Sequence, residues 1–268
     1  MKPKIIPRVI TALVGIPLLI FIIGWGRPWH FSLLVFLVTA GALCEYFFIA
    51  FPGRWRERTL GVTFGLLVSF GVLLPDFLEP GLWLSGVIIV AFSTYLFLAE
   101  KLQESYQHLG WTLLGTLYIG YLVPHMVLLY QSPDGKEWLF FVLLVIMGGD
   151  TAGYCVGSTL GKRKLAPIIS PAKTVEGALG SIGASLLAGL IGGSFLLPII
   201  PWPEMLLLAL VLSILGQAGD LFESWIKRVF SVKDSGTLLP GHGGLLDRMD
   251  SLIFPVVFTT YYLRLLHP

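Results

Sequence analysis

Two groups of carboxylates, with cations between them, are the residues of this sequence best equipped for chemistry. Asp220, Glu223, Ser224 and Lys227 are spaced i, i+3, i+4, i+7, so on a helix they line one face. Asp247 and Asp250 are three apart and would also share a face. Between and within the pairs lie Lys227, Arg228, Lys233, His242 and Arg248, together with Gly241, Gly243 and Gly244. Carboxylate pairs interleaved with cations suit a hard divalent ion that bridges phosphates. Mg²⁺ takes oxygen ligands, keeps some waters, and usually uses one or two carboxylates plus the phosphates of a substrate. The glycines would let the backbone approach a ligand closely. The plainer alternative is a solvated loop with surface ion pairs. It is the weaker reading, because such a loop seldom abuts an intramembrane Asp at both ends.

Two further segments join this list. Asp150 follows the apolar run Leu139–Met147. A carboxylate inside a bilayer costs about 2.5–3.5 kcal/mol on insertion scales, so it marks a site by default. The alternative is an acid paired with a base to fix helix packing. Gly153, Gly157 and Gly161 repeat every four residues, which is the spacing of a small-residue packing face. They do not make a phosphate loop: Gly157 to Lys162 is one residue short, and no Ser or Thr follows the lysine. In Ser170-Pro171-Ala172-Lys173-Thr174-Val175-Glu176-Gly177, Ser170 is expected to cap a helix with Pro171 in its first turn. The free N–H groups there, beside Lys173 and Thr174, would favour a phosphate oxygen, with plain capping and a snorkelling lysine as the alternative.

These residues must be held by membrane helices. The chain has 268 residues, 55% hydrophobic and 13% charged, and a mean hydropathy of +0.82. A soluble domain is about 25% charged, so neither a soluble domain nor a disordered chain fits. A formal charge of +2 offers no footprint for nucleic acid. Cys44 and Cys155 lie in apolar stretches and make neither a disulfide framework nor a zinc site. Nine apolar segments are long enough to read as membrane spans: Val9–Gly26, His30–Phe51, Thr59–Leu74, Gly81–Ala99, Leu109–Tyr130, Trp138–Leu160, Gly177–Ile200, Met205–Phe222 and Ser251–Leu266. The first is too long for a cleaved signal and no small-residue cleavage site follows it.

Alternating connections hold all the lysines and arginines except Arg27, Lys136 and Arg264. The positive-inside rule puts that side, and the N-terminus, in the cytoplasm. The expectation is an all-α polytopic protein with nine helices in a single membrane domain. Residues 1–135 would be helices of no assigned role, and 136–268 the catalytic helices and cytoplasmic loops.

Ser224-x-x-Lys227-Arg228-x-x-x-x-Lys233-Asp234, followed by Pro240-x-His242-Gly243-Gly244-x-x-Asp247-Arg248-x-Asp250, resembles the signature of the phosphatidate cytidylyltransferase family, the CDP-diacylglycerol synthases. Ser170–Gly177 and Gly219–Ser224 resemble that family too. The resemblance implies transfer of a cytidylyl group from CTP to phosphatidic acid, Mg²⁺ dependence, a potassium ion beside the magnesium, and a homodimer. On it, Asp220, Asp247 and Asp250 would hold the divalent ion, with Glu223 a contributor and Asp150 completing the site. Lys173, Lys227, Arg228, Lys233 and Arg248 would neutralise phosphates, and Ser170, Thr174 and Ser224 would lie at the substrates. His242 would either hydrogen-bond a phosphate or protonate the leaving diphosphate. A compact bacterial inner-membrane enzyme facing the cytoplasm is expected. Two rivals make different products: a transporter built around Asp150 and Asp220 would move an ion, and a CTP-dependent lipid-alcohol kinase would release CDP.

Overall fold

The computed structural model describes residues 5–74, 79–98, 101–236 and 243–266. Helices dominate: α1 (Ile5–Trp25), α2 (Pro28–Ala50), α3 (Trp55–Leu73), α4 (Pro80–Phe97), α5 (Leu102–Gly115), a π-helical turn (Thr116–Tyr121), α6 (His125–Gln131), α7 (Gly135–Leu160), α8 (Val175–Leu196), α9 (Trp202–Val229) and α10 (Leu246–Leu266). Between α7 and α8 lies an antiparallel hairpin of β1 (Lys164–Ala166) and β2 (Ser170–Thr174). Among the described residues, each of the nine apolar segments is largely helical, although residues 122–124 and 197–200 are not. Among the described residues, six stretches are long and apolar enough to cross a membrane: α2, α4, Leu102–Gln131, α7, α8 and α9.

The chain divides into two units. One comprises Met1–Leu128 with Asp234–Asp247, the other Leu129–Lys233 with Arg248–Pro268. In the first, α3 packs against α2, α4 and the π-helical turn. Phe64 and Val68 of α3 meet Val87 and Ala91 of α4, flanked by Trp83, Leu113 and Tyr121. The Leu109–Tyr130 segment, read as one helix, is three pieces. Gly120 lies against the backbone of Gly65, where an added Cβ would sit 2.6 Å from the Gly65 carbonyl oxygen. The wide turn is registered by Leu122 N–H donating to the Leu117 carbonyl at 3.2 Å. Pro124 then supplies no N–H to continue the helix.

In the second unit α7, α8 and α9 pack together. The α7–α8 seam is made of small residues: Gly149, Gly153 and Gly157 face Gly177, Ser181 and Ser185, and Ser185 Oγ donates to the Val145 carbonyl at 2.9 Å. The opposite stripe of α8 exposes Leu179, Leu187, Ile191 and Phe195, the last 83% exposed, while Ser185 is fully buried. Small and polar inside with large and apolar outside inverts the pattern of a soluble helix. It is the pattern of helices packed in lipid, where close approach of backbones supplies the contact energy. The spacing of Gly153 and Gly157 is therefore a packing face, as expected, whereas Gly161 lies just past the end of α7, against Thr174.

One local expectation is corrected. Ser170 does not cap the helix and Pro171 is not in its first turn. Ser170 pairs with Ala166, and Lys164 with Thr174. Both strands of a two-stranded hairpin are edges, where a proline costs no ladder bond it could not spare. The cap is Thr174, whose hydroxyl accepts from Gly177 N–H at 3.1 Å. Thr174→Ala is expected to cost about 1 kcal/mol and Thr174→Ser almost none. Thermal unfolding of both variants in detergent checks this.

Candidate active site

Four segments of the second unit bring charged side chains together: α7, β2, α9 and α10 from Arg248 onward. Lys173 Nζ pairs with Asp220 at 2.5 Å, tying β2 to α9. The hairpin that carries Lys173 is itself anchored twice. Lys162 N–H donates to the Glu176 carboxylate at 3.0 Å and Arg163 N–H at 3.1 Å. Arg228 Nε donates to the Ile169 carbonyl and its Nη1 to the Val232 carbonyl, both at 3.2 Å. Arg228 was expected at a phosphate; here its guanidinium joins the hairpin to the end of α9.

Asp220, Glu223, Ser224 and Lys227 all lie on α9, as their spacing requires. Glu223 is fully buried and pairs with Lys227 one turn on. Asp250 comes close to Asp220 because Gly219 has no side chain. A Cβ there would be driven into the Asp250 carbonyl oxygen, and one on Gly216 would sit 3.2 Å from the Ser251 carbonyl oxygen. Asp150, far along the span of α7, accepts from Ser251 Oγ at 3.1 Å and is exposed. Asp150, Asp220 and Asp250 are near enough for their charges to repel one another, with Lys173 acting on Asp150 and Lys227 on Asp250. The site is thus three like charges opposed by two lysines.

The remaining expected residues divide as follows. Thr174 is the cap and Ser170 belongs to the hairpin. Ser224 is buried in α9, and Lys233 and Arg248 are exposed. Asp247 falls in the first unit, where its carboxylate accepts from Gly244 N–H at 2.8 Å and Ser235 N–H at 3.1 Å. His242 lies outside the described residues. The sequence reading missed Ser251, Glu176 and Glu45. Glu45 carried the same signal as Asp150, a lone acid in an apolar run. Ser251 and Glu176 carried none, because their roles come only from the partners that folding gives them.

Among the described residues, no three Asp, Glu, His or Cys side chains are gathered tightly enough to hold a metal by themselves. The donor set still fits Mg²⁺. Asp150, Asp220 and Asp250 offer oxygen only, their mutual repulsion favours a cation among them, and Mg²⁺ leaves part of its sphere to substrate phosphates rather than to an all-protein cage.

The helices and this site define a multi-pass membrane protein with an acid–lysine centre built on its C-terminal half. A family model, the cytidylyltransferase family, matches residues 6–266. The phosphatidate cytidylyltransferase of Bacillus subtilis (strain 168) is 35% identical, over 99% of this chain and 98% of that one. That of Staphylococcus haemolyticus (strain JCSC1435) is 33% identical over 95% of each, and that of Brucella suis biovar 1 is 39% identical over 74% of this chain and 72% of that one. The chain belongs to the cytidylyltransferase family.

Proposed function

We propose that the protein is a phosphatidate cytidylyltransferase, converting CTP and phosphatidic acid to CDP-diacylglycerol and diphosphate. The observation that carries this reading is the Lys173–Asp220 pair set among Asp150, Asp250 and Lys227, in a chain similar along nearly its whole length to proteins that bear that name.

The chemistry asks little of a general base. A phosphate monoester has a second pKa near 6, so the lipid phosphate is mostly dianionic at pH 7. One of its oxygens forms a bond to the α-phosphorus of CTP as the bond from that phosphorus to the α,β-bridging oxygen breaks, and diphosphate leaves with the electron pair. Two polyanions must first be brought together, so the enzyme's task is positioning and charge neutralisation. Lys173 and Lys227 are the cations within the site for this purpose, and exposed Lys233 and Arg248 would draw the nucleotide in from solution. Asp220 and Asp250 would hold Mg²⁺, with Asp150 supporting them. Asp247 precedes Asp250 by one turn of α10, and Glu223 precedes Lys227 by one turn of α9; each also serves the chain's own groups. A bound Mg²⁺ would supply further neutralisation of the triphosphate.

The membrane setting suits the substrates, one carrying acyl chains and the other soluble. With nine spans and the charge bias of the connections, the N-terminus lies in the cytoplasm and the charged segments from Gly161 to Glu176 and Glu223 to Asp250 on the cytoplasmic side of a bacterial inner membrane.

Lys173→Ala is expected to lower kcat/KM for CTP roughly 10–100-fold, the worth of one charge-assisted hydrogen bond. Steady-state kinetics in detergent measures it; unchanged kinetics would reduce Lys173 to a structural ion pair. The reading as a whole is tested by the nucleotide products. Diphosphate released only when CTP and phosphatidic acid are both present supports cytidylyl transfer. Release of CDP would mean γ-phosphate transfer and overturn it.

A further inference from the structure

We propose that Glu45, in the membrane helix α2, is a positioning residue for the reaction: it holds the first turn of α10 and the chain at Ser235 in one fixed register. This rests on the function proposed above. Glu45 is buried, 6% exposed. Its Oε2 accepts from Leu246 N–H at 3.1 Å and from Ser235 Oγ at 3.3 Å. Asp247 takes the neighbouring donors, Ser235 N–H and Gly244 N–H. Two carboxylates therefore gather backbone from both sides of the 237–242 stretch.

The glycines of this segment are explained by the same acid. A Cβ on Gly244 would lie 2.8 Å from Glu45 Cδ, and one on Gly236 would lie 2.5 Å from it. The chain at both points rests directly on the carboxylate, so a larger residue would have to displace it. Gly243 has φ of +83°, a left-handed conformation that side chains rarely adopt, and delivers Gly244 N–H to Asp247. Gly243 and Gly244, expected beside a ligand, serve Asp247 and Glu45.

Stability alone does not call for this arrangement. A buried carboxylate pays a desolvation penalty that well-packed apolar side chains avoid. What the carboxylate supplies is geometry. The first four N–H groups of a helix have no partner within it, and an anion there binds them and favours the helix dipole. Glu45 takes one of these groups from a distance of 201 residues in sequence. It thereby fixes where α10 starts, about one turn ahead of Asp250 and Ser251 on the same helix. The acid does not act on substrate itself; its effect passes through the helix that carries Asp250.

The test uses the full-length protein purified in detergent. Glu45→Gln, Ser235→Ala and the double variant are compared with wild type in two measurements: turnover of α-labelled CTP with phosphatidic acid, and hydrogen–deuterium exchange by peptide. Glu45→Gln is expected to lower kcat at least roughly tenfold while KM for CTP moves less than about threefold. The 243–252 peptide should exchange faster, with α7 and α8 peptides unchanged. The double variant should lose little more than Glu45→Gln alone, since both changes weaken one network, the first by removing the negative charge that strengthens its bonds. Wild-type kcat with unchanged exchange would overturn the proposal. So would faster exchange spread evenly over the chain, which is the mark of a merely structural acid. Should Glu45→Gln fail to fold, faster exchange confined to the 243–252 peptide in Ser235→Ala supports the same network and unchanged exchange overturns it. An inactive wild type would strike the proposed function instead, and the exchange data would still decide whether Glu45 holds the segment.

Discussion

Asp250→Asn is expected to lower turnover by roughly 10³-fold or more while leaving the protein at least as stable as wild type. The first half follows from the charge. Groups that meet the charge of a transition state in a preorganised site are worth about 10²–10³ in rate each, and Asp250 is also a proposed ligand of the ion on which the triphosphate depends. The second half follows from its neighbours. Asp220 and Asp150 both repel Asp250, so removing one negative charge in the metal-free protein relieves a conflict. Asn keeps the shape of the side chain and the oxygen that accepts from Ser251 N–H at 2.8 Å. Activity and stability should therefore move apart. Cytidylyl transfer and thermal unfolding without Mg²⁺, measured on one preparation, check both. Activity near wild type would remove Asp250 from the site. Lost activity accompanied by a lowered melting temperature would make its role structural.

Gly177→Leu carries the second large effect, on folding. A Cβ at Gly177 would lie 2.9 Å from the Gly153 carbonyl oxygen and 3.1 Å from Gly157 Cα. Both neighbours are backbone, so neither can rotate away. The larger side chain must push α8 off α7, opening the seam that Gly149, Ser181 and Ser185 also form. Overpacking of this kind costs about 3 kcal/mol or more where backbone must move, a large part of the stability of most domains. The matched control is Gly183→Leu on the same helix. Gly183 is exposed and nothing lies within 4 Å of its Cβ position, so that change should be neutral or gain from helix propensity. Size-exclusion profiles and melting curves in detergent should show little folded protein for Gly177→Leu and wild-type behaviour for Gly183→Leu. Equal tolerance of both would mean that the α7–α8 seam is not close-packed.

What the sequence made legible was local. Asp220, Glu223 and Lys227 share a face of α9 because helical periodicity relates residues three and four apart, whatever else the chain does. The exposed Leu179, Leu187, Ile191 and Phe195 follow from an apolar run that had to face lipid. Gly153 and Gly157 announced a packing face by their spacing alone. The hairpin was hidden because Ser170-Pro171 suits a helix start and an edge strand equally well. The decision was made by pairing with Lys164–Ala166, and by Glu176 reaching back to the N–H groups of Lys162 and Arg163. The division of the chain was hidden for a stronger reason. Ser235 and Leu246 join the N-terminal helices through Glu45, and nothing in a periodicity or a motif connects residues that far apart. Glu45 stands out in the first helices as a lone acid in an apolar run, but its partners lie near the other end of the chain and no local pattern names them.

The central claim, that the acid–lysine centre of the second unit transfers a cytidylyl group to a lipid phosphate, is tested most directly by following the α-phosphate of CTP. Purified protein in detergent is given phosphatidic acid, Mg²⁺ and CTP labelled at that position, beside the Asp250→Asn variant. Label entering the organic phase with wild type, abolished by EDTA and absent from the variant, is the predicted result. Folded wild-type protein that leaves all the label in the aqueous phase would contradict it.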